Sequence, residues 1–277
     1  MTGAPIGILM ITSTRPHYTR LALPALLASC DDTMRVWLWH NGSADETWQV
    51  VEQHATDPRV AHVHRHDANA PLSEPTNWLW QHSDAPLLGK VDDDILVEPD
   101  WAQRLRDAHD ALPQAGILSA WTFPESDFDA ALADHKIEQH GSTQLMRNAW
   151  VGGGCYLMKR ACVTGHRLLR DGESFADWCR ATAWQRWMHG WPLPLVVADH
   201  MDDPRSAHTA LRDDAAMHEA LPLTARRNGI TTKAQWQQLL EGIAHTVQTC
   251  PAEPGRLYGV RSWPRRITRA LHTRKAA

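Results

Sequence analysis

Residues 87–97, Leu87-Leu88-Gly89-Lys90-Val91-Asp92-Asp93-Asp94-Ile95-Leu96-Val97, set three consecutive acids inside a stretch otherwise built like a buried strand. A chain folds around such a run only if something offsets its charge. Two carboxylates about 4 Å apart repel by roughly 1 kcal/mol in water and about 4 kcal/mol at the effective dielectric of a protein surface. On a strand, side chains alternate between faces, so the pattern predicts Asp92 and Asp94 on one face and Asp93 on the other. Hard oxygen ligands in an Asp-x-Asp pair suit Mg2+ or Mn2+, which take one or two carboxylates and complete their shell with water and substrate phosphates. The alternative is an acidic turn after a strand.

The chain around this run reads as α/β. Short apolar runs at 6–11, 36–39, 60–63, 87–91, 117–120 and 193–198 alternate with helical patterns, including a first helix around 21–28. That order predicts a mostly parallel central sheet flanked by helices. Ligands of such sheets collect at the carboxyl ends of strands, and Thr12, His40, Asp92 and His200 each follow or end an apolar run. Segment 122–148 lacks periodicity and reads as a long loop. From Met201 the pattern turns helical, notably over 225–247 with its Thr231-Thr232-Lys233 start. The expected organisation is therefore a core at 1–205 and a helical C-terminal extension at 206–277.

Composition excludes more than it identifies. A length of 277 residues suffices for one substantial core. The net charge of −4 argues against a general nucleic-acid binder. Five scattered cysteines without paired spacing fit reduced thiols. The longest apolar stretches fall far short of the roughly 20 residues of a membrane span, and no basic segment precedes the first as a signal peptide requires; the expectation is a cytoplasmic enzyme.

Several segments, in order, carry a resemblance. Ile6-Gly7-Ile8-Leu9-Met10-Ile11-Thr12-Ser13-Thr14-Arg15-Pro16 runs from a first strand into a polar loop, and Val36-Trp37-Leu38-Trp39-His40-Asn41-Gly42-Ser43 gives a second strand and turn. Asp92-Asp93-Asp94 is followed by Pro99-Asp100-Trp101, and Trp150-Val151-Gly152-Gly153-Gly154 stands ahead of Lys159-Arg160. Over residues 5–205 the chain resembles the family-2 glycosyltransferases of the GT-A fold. The resemblance implies a nucleotide-sugar half at 1–100 and an acceptor half at 101–205. It implies inverting transfer of a sugar from a nucleoside diphosphate sugar to a hydroxyl on a glycan, a lipid-linked acceptor or a small molecule, assisted by Mn2+ or Mg2+.

The same resemblance assigns residues. Donor contacts fall to Thr12, Ser13, Arg15, His40, Asn41, Asn77, Asp92 and Asp93, with His40 standing where the family carries an aspartate that helps to read the base. Metal ligation falls to Asp92, Asp94 and His200, with Asp199 and His208 as competitors for the third place. The general base, which removes the acceptor's proton, is Asp177 in Asp171-Gly172-Glu173-Ser174-Phe175-Ala176-Asp177-Trp178, ahead of Arg186 and Gly190-Trp191. Glu173 is the other possibility, and an acid there also serves as a helix cap. Two alternatives stand beside this reading: a sugar nucleotidyltransferase, whose glycine-rich basic loop is not found near the N-terminus, and a non-catalytic nucleotide-sugar or glycan-binding protein of the same fold.

Other features carry less. His62, His64 and His66 alternate on a predicted strand without a fourth ligand and read as a strand face. Gly152-Gly153-Gly154 lacks the Gly-Lys-Ser/Thr of a P-loop and reads as a place where backbone approaches substrate. Of the 14 tryptophans, Trp150 and Trp178 adjoin the acceptor motifs. Residues 256–277 hold six arginines and one lysine without an acid, with Trp263, Ile267 and Leu271 four apart. That pattern reads either as a solvated tail or as a weak peripheral contact with an anionic membrane.

Overall fold

The computed structural model describes residues 3–220 and 222–257. Nine strands form one mixed sheet: β1 (Ile6–Thr12), β2 (Met34–Asn41), β3 (Val60–His66), β4 (Leu87–Val91), β6 (Ala115–Ser119), β7 (Ile137–His140), β8 (Thr143–Asn148), β9 (Cys155–Lys159) and β10 (Met188–Leu193). Their order is β3-β2-β1-β4-β9-β6-β10-β8-β7. A two-stranded sheet pairs β5 (Ile95–Val97) with β11 (Ala198–His200).

The first half is the parallel, helix-covered array that the apolar runs predict. β1 is buried at every position, pairs in parallel with β2 and β4, and so belongs in the centre. Helix Pro16–Ala28 begins earlier than the apolar pattern alone suggests because Pro16, lacking an N–H, is well suited to a first turn. The second half is mixed, not parallel: β9 runs antiparallel between β4 and β6, and β8 antiparallel beside β10.

Three sequence expectations change here. The long loop read at 122–148 contains the hairpin β7–β8, turned at Gly141 with φ +59; its polar edge residues hide the alternation. The apolar run 193–198 is not one strand: Leu193 ends β10, Ala198 begins β11, and between them Pro194 has no N–H to donate and Val197 meets Trp121 by an isolated bridge. The acids 92–94 lie in a turn between β4 and β5, closed by the Ile95 amide on the Asp92 carbonyl at 3.1 Å, so strand alternation does not set where they point.

The C-terminal helix starts as its sequence predicts: Thr232 Oγ1 caps Lys233–Thr249 by accepting from the Gln235 amide. It is tied to the second half of the sheet by buried Lys136, whose Nζ donates to the Val247 and Cys250 carbonyls at 2.7 and 2.8 Å. The Trp236 indole donates to the Asp202 carbonyl at 2.7 Å. The basic residues 258–277 lie outside the described residues. Among the described residues no helix is long and apolar enough to cross a membrane.

β10 is anchored to helix Phe175–Ala183 by His189, whose Nε2 lies 3.0 Å from Thr182 Oγ1 and 3.1 Å from the Cys179 carbonyl. Burial pushes the His189 imidazole down to about 4. The unfolded chain takes up this proton near pH 6.5 while the native state refuses it until about 4, so the contribution is complete above 6.5 and is lost as pH falls toward 4. Urea unfolding of the wild type and His189→Gln is expected to show a stability gap that narrows by about 2 kcal/mol between pH 7 and pH 5; a gap constant with pH would refute it. Gly190 beside it is required by close approach, since a Cβ there would meet the Met146 carbonyl oxygen at 2.2 Å.

Candidate active site

The carboxyl ends of β1, β2 and β4 meet the end of β11 on one rim. The antiparallel register of β5 with β11 sets His200 opposite Ile95, next to Asp94, and the Met201 amide donates to the Asp94 carbonyl at 2.8 Å. Asp202 follows two residues on. Ligand atoms of Asp94, His200 and Asp202 lie within 4.8 Å of one another, the one such trio among the described residues. Atoms around an ion at about 2.1 Å sit roughly 3–4 Å apart, so two carboxylates and one imidazole need only a small contraction to hold Mg2+ or Mn2+. Oxygen-rich donors of this kind are the right chemistry for those ions.

Arg15, just beyond β1, reaches into the same cluster. Its Nη1 is 2.5 Å from Asp94 Oδ2 and 2.8 Å from Asp202 Oδ2. Burial works against ionisation of these acids. At Asp94 it is overcome by Arg15 and then His200, which hold the carboxyl below the usual carboxylate range. Asp202, buried and facing Asp94, is pushed up to about 6. Asp93 is pushed up to about 8 by burial and by its neighbouring acids, with Arg15 opposing. The carboxyl-rich cluster could take further positive charge of the kind a divalent cation would supply.

The other acids of the turn have different partners. Asp92, read as a metal ligand, lies outside the trio; it is paired with buried Lys90, and its amide donates to the Gly154 carbonyl at 2.8 Å. Lys90 also donates to the Gly153 carbonyl at 3.0 Å, and a Cβ on Gly153 would sit 3.4 Å from Phe175 Cβ. The glycine segment therefore links the acidic turn to the helix carrying Asp177. Asp93 Oδ2 accepts from the Ser13 amide at 3.3 Å, closing the turn onto β1.

Several residues read as donor contacts are engaged inside the protein. His40 is fully buried, with Nδ1 3.1 Å from Thr12 Oγ1 and Nε2 2.9 Å from the Ser43 carbonyl. Asn41 holds the approach to helix Ser73–His82 through Asn69 and both backbone groups of Ala70. Asn77 clasps the Leu169 amide and carbonyl at 3.0 and 2.8 Å. Ser13 Oγ donates to the Asn41 carbonyl at 3.1 Å. These bonds shape the rim, while Arg15 and the acidic turn present charge to it.

At the segment read as the acceptor half, Ser174 caps helix Phe175–Ala183, accepting from the Asp177 amide at 3.1 Å. Asp177 is about half exposed, with Oδ2 accepting from Ser174 Oγ at 2.8 Å and Oδ1 from Arg180 at 2.7 Å. Arg180 in turn lies over the Trp150 ring at 5.4 Å. Glu173 is locked by both ends of Arg167 at 2.5 and 2.6 Å, and these bonds hold its carboxyl below the usual range. Trp178 is fully buried, its indole donating to the Arg167 carbonyl at 2.8 Å.

Asp202 is the residue that sequence reasoning missed. Its signal is the spacing His200-Met201-Asp202 at the exit of an apolar run. Asp199 and His208, the weighed competitors, pair with each other at 2.9 Å instead. His62 and His64 pack at a tilt against Trp37 and Trp39, each pair with ring centroids 4.0 Å apart, and form an aromatic strand face.

The profile of glycosyl transferase family 2 matches residues 8–165. No curated protein matches the chain. Among solved structures, the mannosyltransferase PcManGT from Pyrobaculum calidifontis, in complex with GDP-Man and Mn2+, is similar at 17% identity and a TM-score of 0.60, over 89% of this chain and 70% of that one. TarS 1-349 from S. aureus is similar at 13% identity and a TM-score of 0.54, over 95% and 78%. Its complex with UDP-GlcNAc is similar at 12% and 0.53, over 87% and 72%. At these identities the likeness shows a shared fold.

Proposed function

The chain belongs to glycosyl transferase family 2, and from that premise we propose that it transfers a sugar from a nucleoside diphosphate sugar to a hydroxyl acceptor, with inversion and with Mn2+ or Mg2+. The observation that carries this reading is the convergence of Asp94, His200 and Asp202 at the carboxyl-end rim, with Arg15 beside them. The similar structures holding GDP-Man with Mn2+ and UDP-GlcNAc support the donor class.

Asp94, His200 and Asp202 would hold a divalent cation, whose charge would offset that building on the departing diphosphate. The chain's own residues do the rest. Lys90 neutralises Asp92, so the turn does not repel the donor's phosphates with a further free acid. Gly153 and Gly154 pack their bare backbone between Phe175 on one side and Asp92 and Ile95 on the other, holding the turn against the helix that carries Asp177. Asp177 accepts the acceptor's proton, and the Trp150 ring beside Arg180 gives a face on which a sugar ring can stack. Glu173, committed to Arg167, holds the preceding loop.

A panel of nucleoside diphosphate sugars tested by thermal shift, with released nucleoside diphosphate measured alongside, tests the reading. At least one donor is expected to stabilise the protein with Mn2+ present and to lose that effect on chelation. No stabilisation by any donor, or an effect indifferent to chelation, would remove metal-assisted transfer.

A further inference from the structure

The guanidinium of Arg15 and the cation of the proposed site draw on the same two carboxylates. Nη1 of Arg15 touches Oδ2 of Asp94 at 2.5 Å and Oδ2 of Asp202 at 2.8 Å, and that Asp94 oxygen is also 3.8 Å from His200 Nε2. One nitrogen thus occupies the charge-accepting side of both acids that would ligate the ion. A cation coordinated there and Nη1 in this position would be like charges a few ångströms apart with little water between them, because the Arg15 side chain is only 26% exposed and that of Asp202 only 3%. Arg15 also carries a planar fork of donors suited to phosphate, and it stands at the first turn after β1 on the rim where the diphosphate is expected.

Resting on the metal reading above, we propose that Arg15 is an exchange residue: it competes with the metal for Asp94 and Asp202, and gives them up for the donor's diphosphate when ion and donor enter together. The bare ion is therefore held weakly and the ion with its diphosphate tightly. This couples metal loading to donor arrival, by a residue whose effect on the two ligands has opposite signs. A purely structural role would weaken both.

The test compares wild type and Arg15→Gln with two probes, Mn2+ alone and preformed Mn2+–inorganic pyrophosphate, each titrated by electron paramagnetic resonance. Removing a charge-assisted pair is expected to tighten Mn2+ alone by about tenfold and to weaken Mn2+–pyrophosphate by about tenfold. Affinities that fall together, or a variant binding Mn2+ no tighter than wild type, would overturn the proposal. In the unmutated protein, Mg2+ with pyrophosphate is expected to shift the Arg15 side-chain nitrogen resonances; unchanged resonances at saturation would overturn it without relying on any variant. An Asp94→Asn arm separates the premises: if it leaves Mn2+ binding untouched, the metal site itself has been misplaced, whereas loss of binding there with no crossover at Arg15 rejects the exchange alone.

Discussion

Asparagine at position 94 is expected to lower metal-dependent transfer by about 10³-fold or more, since charge supplied by a bound cation is worth several kcal/mol in the transition state. Asp94 is the acid that the trio shares with both Arg15 and His200. Neutralising it removes the carboxylate held most firmly in its charged form. The fold is expected to persist, because Asp202 still faces Arg15 and the turn's backbone bonds do not use the side chain. Asp93→Asn is the matched control. Asp93 lies outside the trio and receives the Ser13 amide, a bond that an asparagine oxygen can also accept, so a much milder loss is expected. Circular dichroism with Mn2+ titration and turnover decides the matter. Near-normal activity of Asp94→Asn, or full wild-type activity after exhaustive chelation, contradicts the assignment.

How much of this was legible in the sequence depended on whether a residue's role was local. The run 92–94 stood out because three charges in an apolar segment violate a local pattern, and the acidic turn weighed as the alternative to a strand is the geometry it takes. Thr232 was legible for the same reason, a cap being defined within four residues. His200 could be placed on the rim from its apolar run but was read as a metal ligand only through family likeness, and Asp202 was not found, because their meeting with Asp94 is set by the pairing of β5 with β11, two short strands about a hundred residues apart. The pairing of Lys90 with Asp92 and the Gly153 carbonyl needs β9 laid against β4, again a non-local event. The hairpin at 137–148 was hidden by its polar edge. His40 illustrates the converse: family likeness marked it for the donor, while burial and two internal bonds engage it in holding β1 against the β2 turn.

Asp177→Asn is expected to cut turnover by about 10²–10⁴-fold, the usual effect of losing a general base, while Mn2+ affinity and donor KM stay near wild type. The choice of Asp177 over Glu173 rests on what each carboxylate already holds. Both oxygens of Glu173 are taken by Arg167, with the Arg170 amide adding a third bond, so neither is open to an incoming hydroxyl without breaking that clasp. Asp177 is half exposed on the first turn of a helix that meets the glycine segment through Phe175, and its partners are a capping hydroxyl and Arg180 at the surface. An exposed pair of that kind is worth under about 1 kcal/mol, so an incoming hydroxyl can displace Arg180 at small cost. Glu173→Gln is expected to lower the melting temperature through the lost Arg167 pair and to leave most turnover intact. The decisive readout is kcat for both variants at saturating donor: a dead Glu173→Gln beside an active Asp177→Asn reverses the two roles, and two active variants place the base elsewhere.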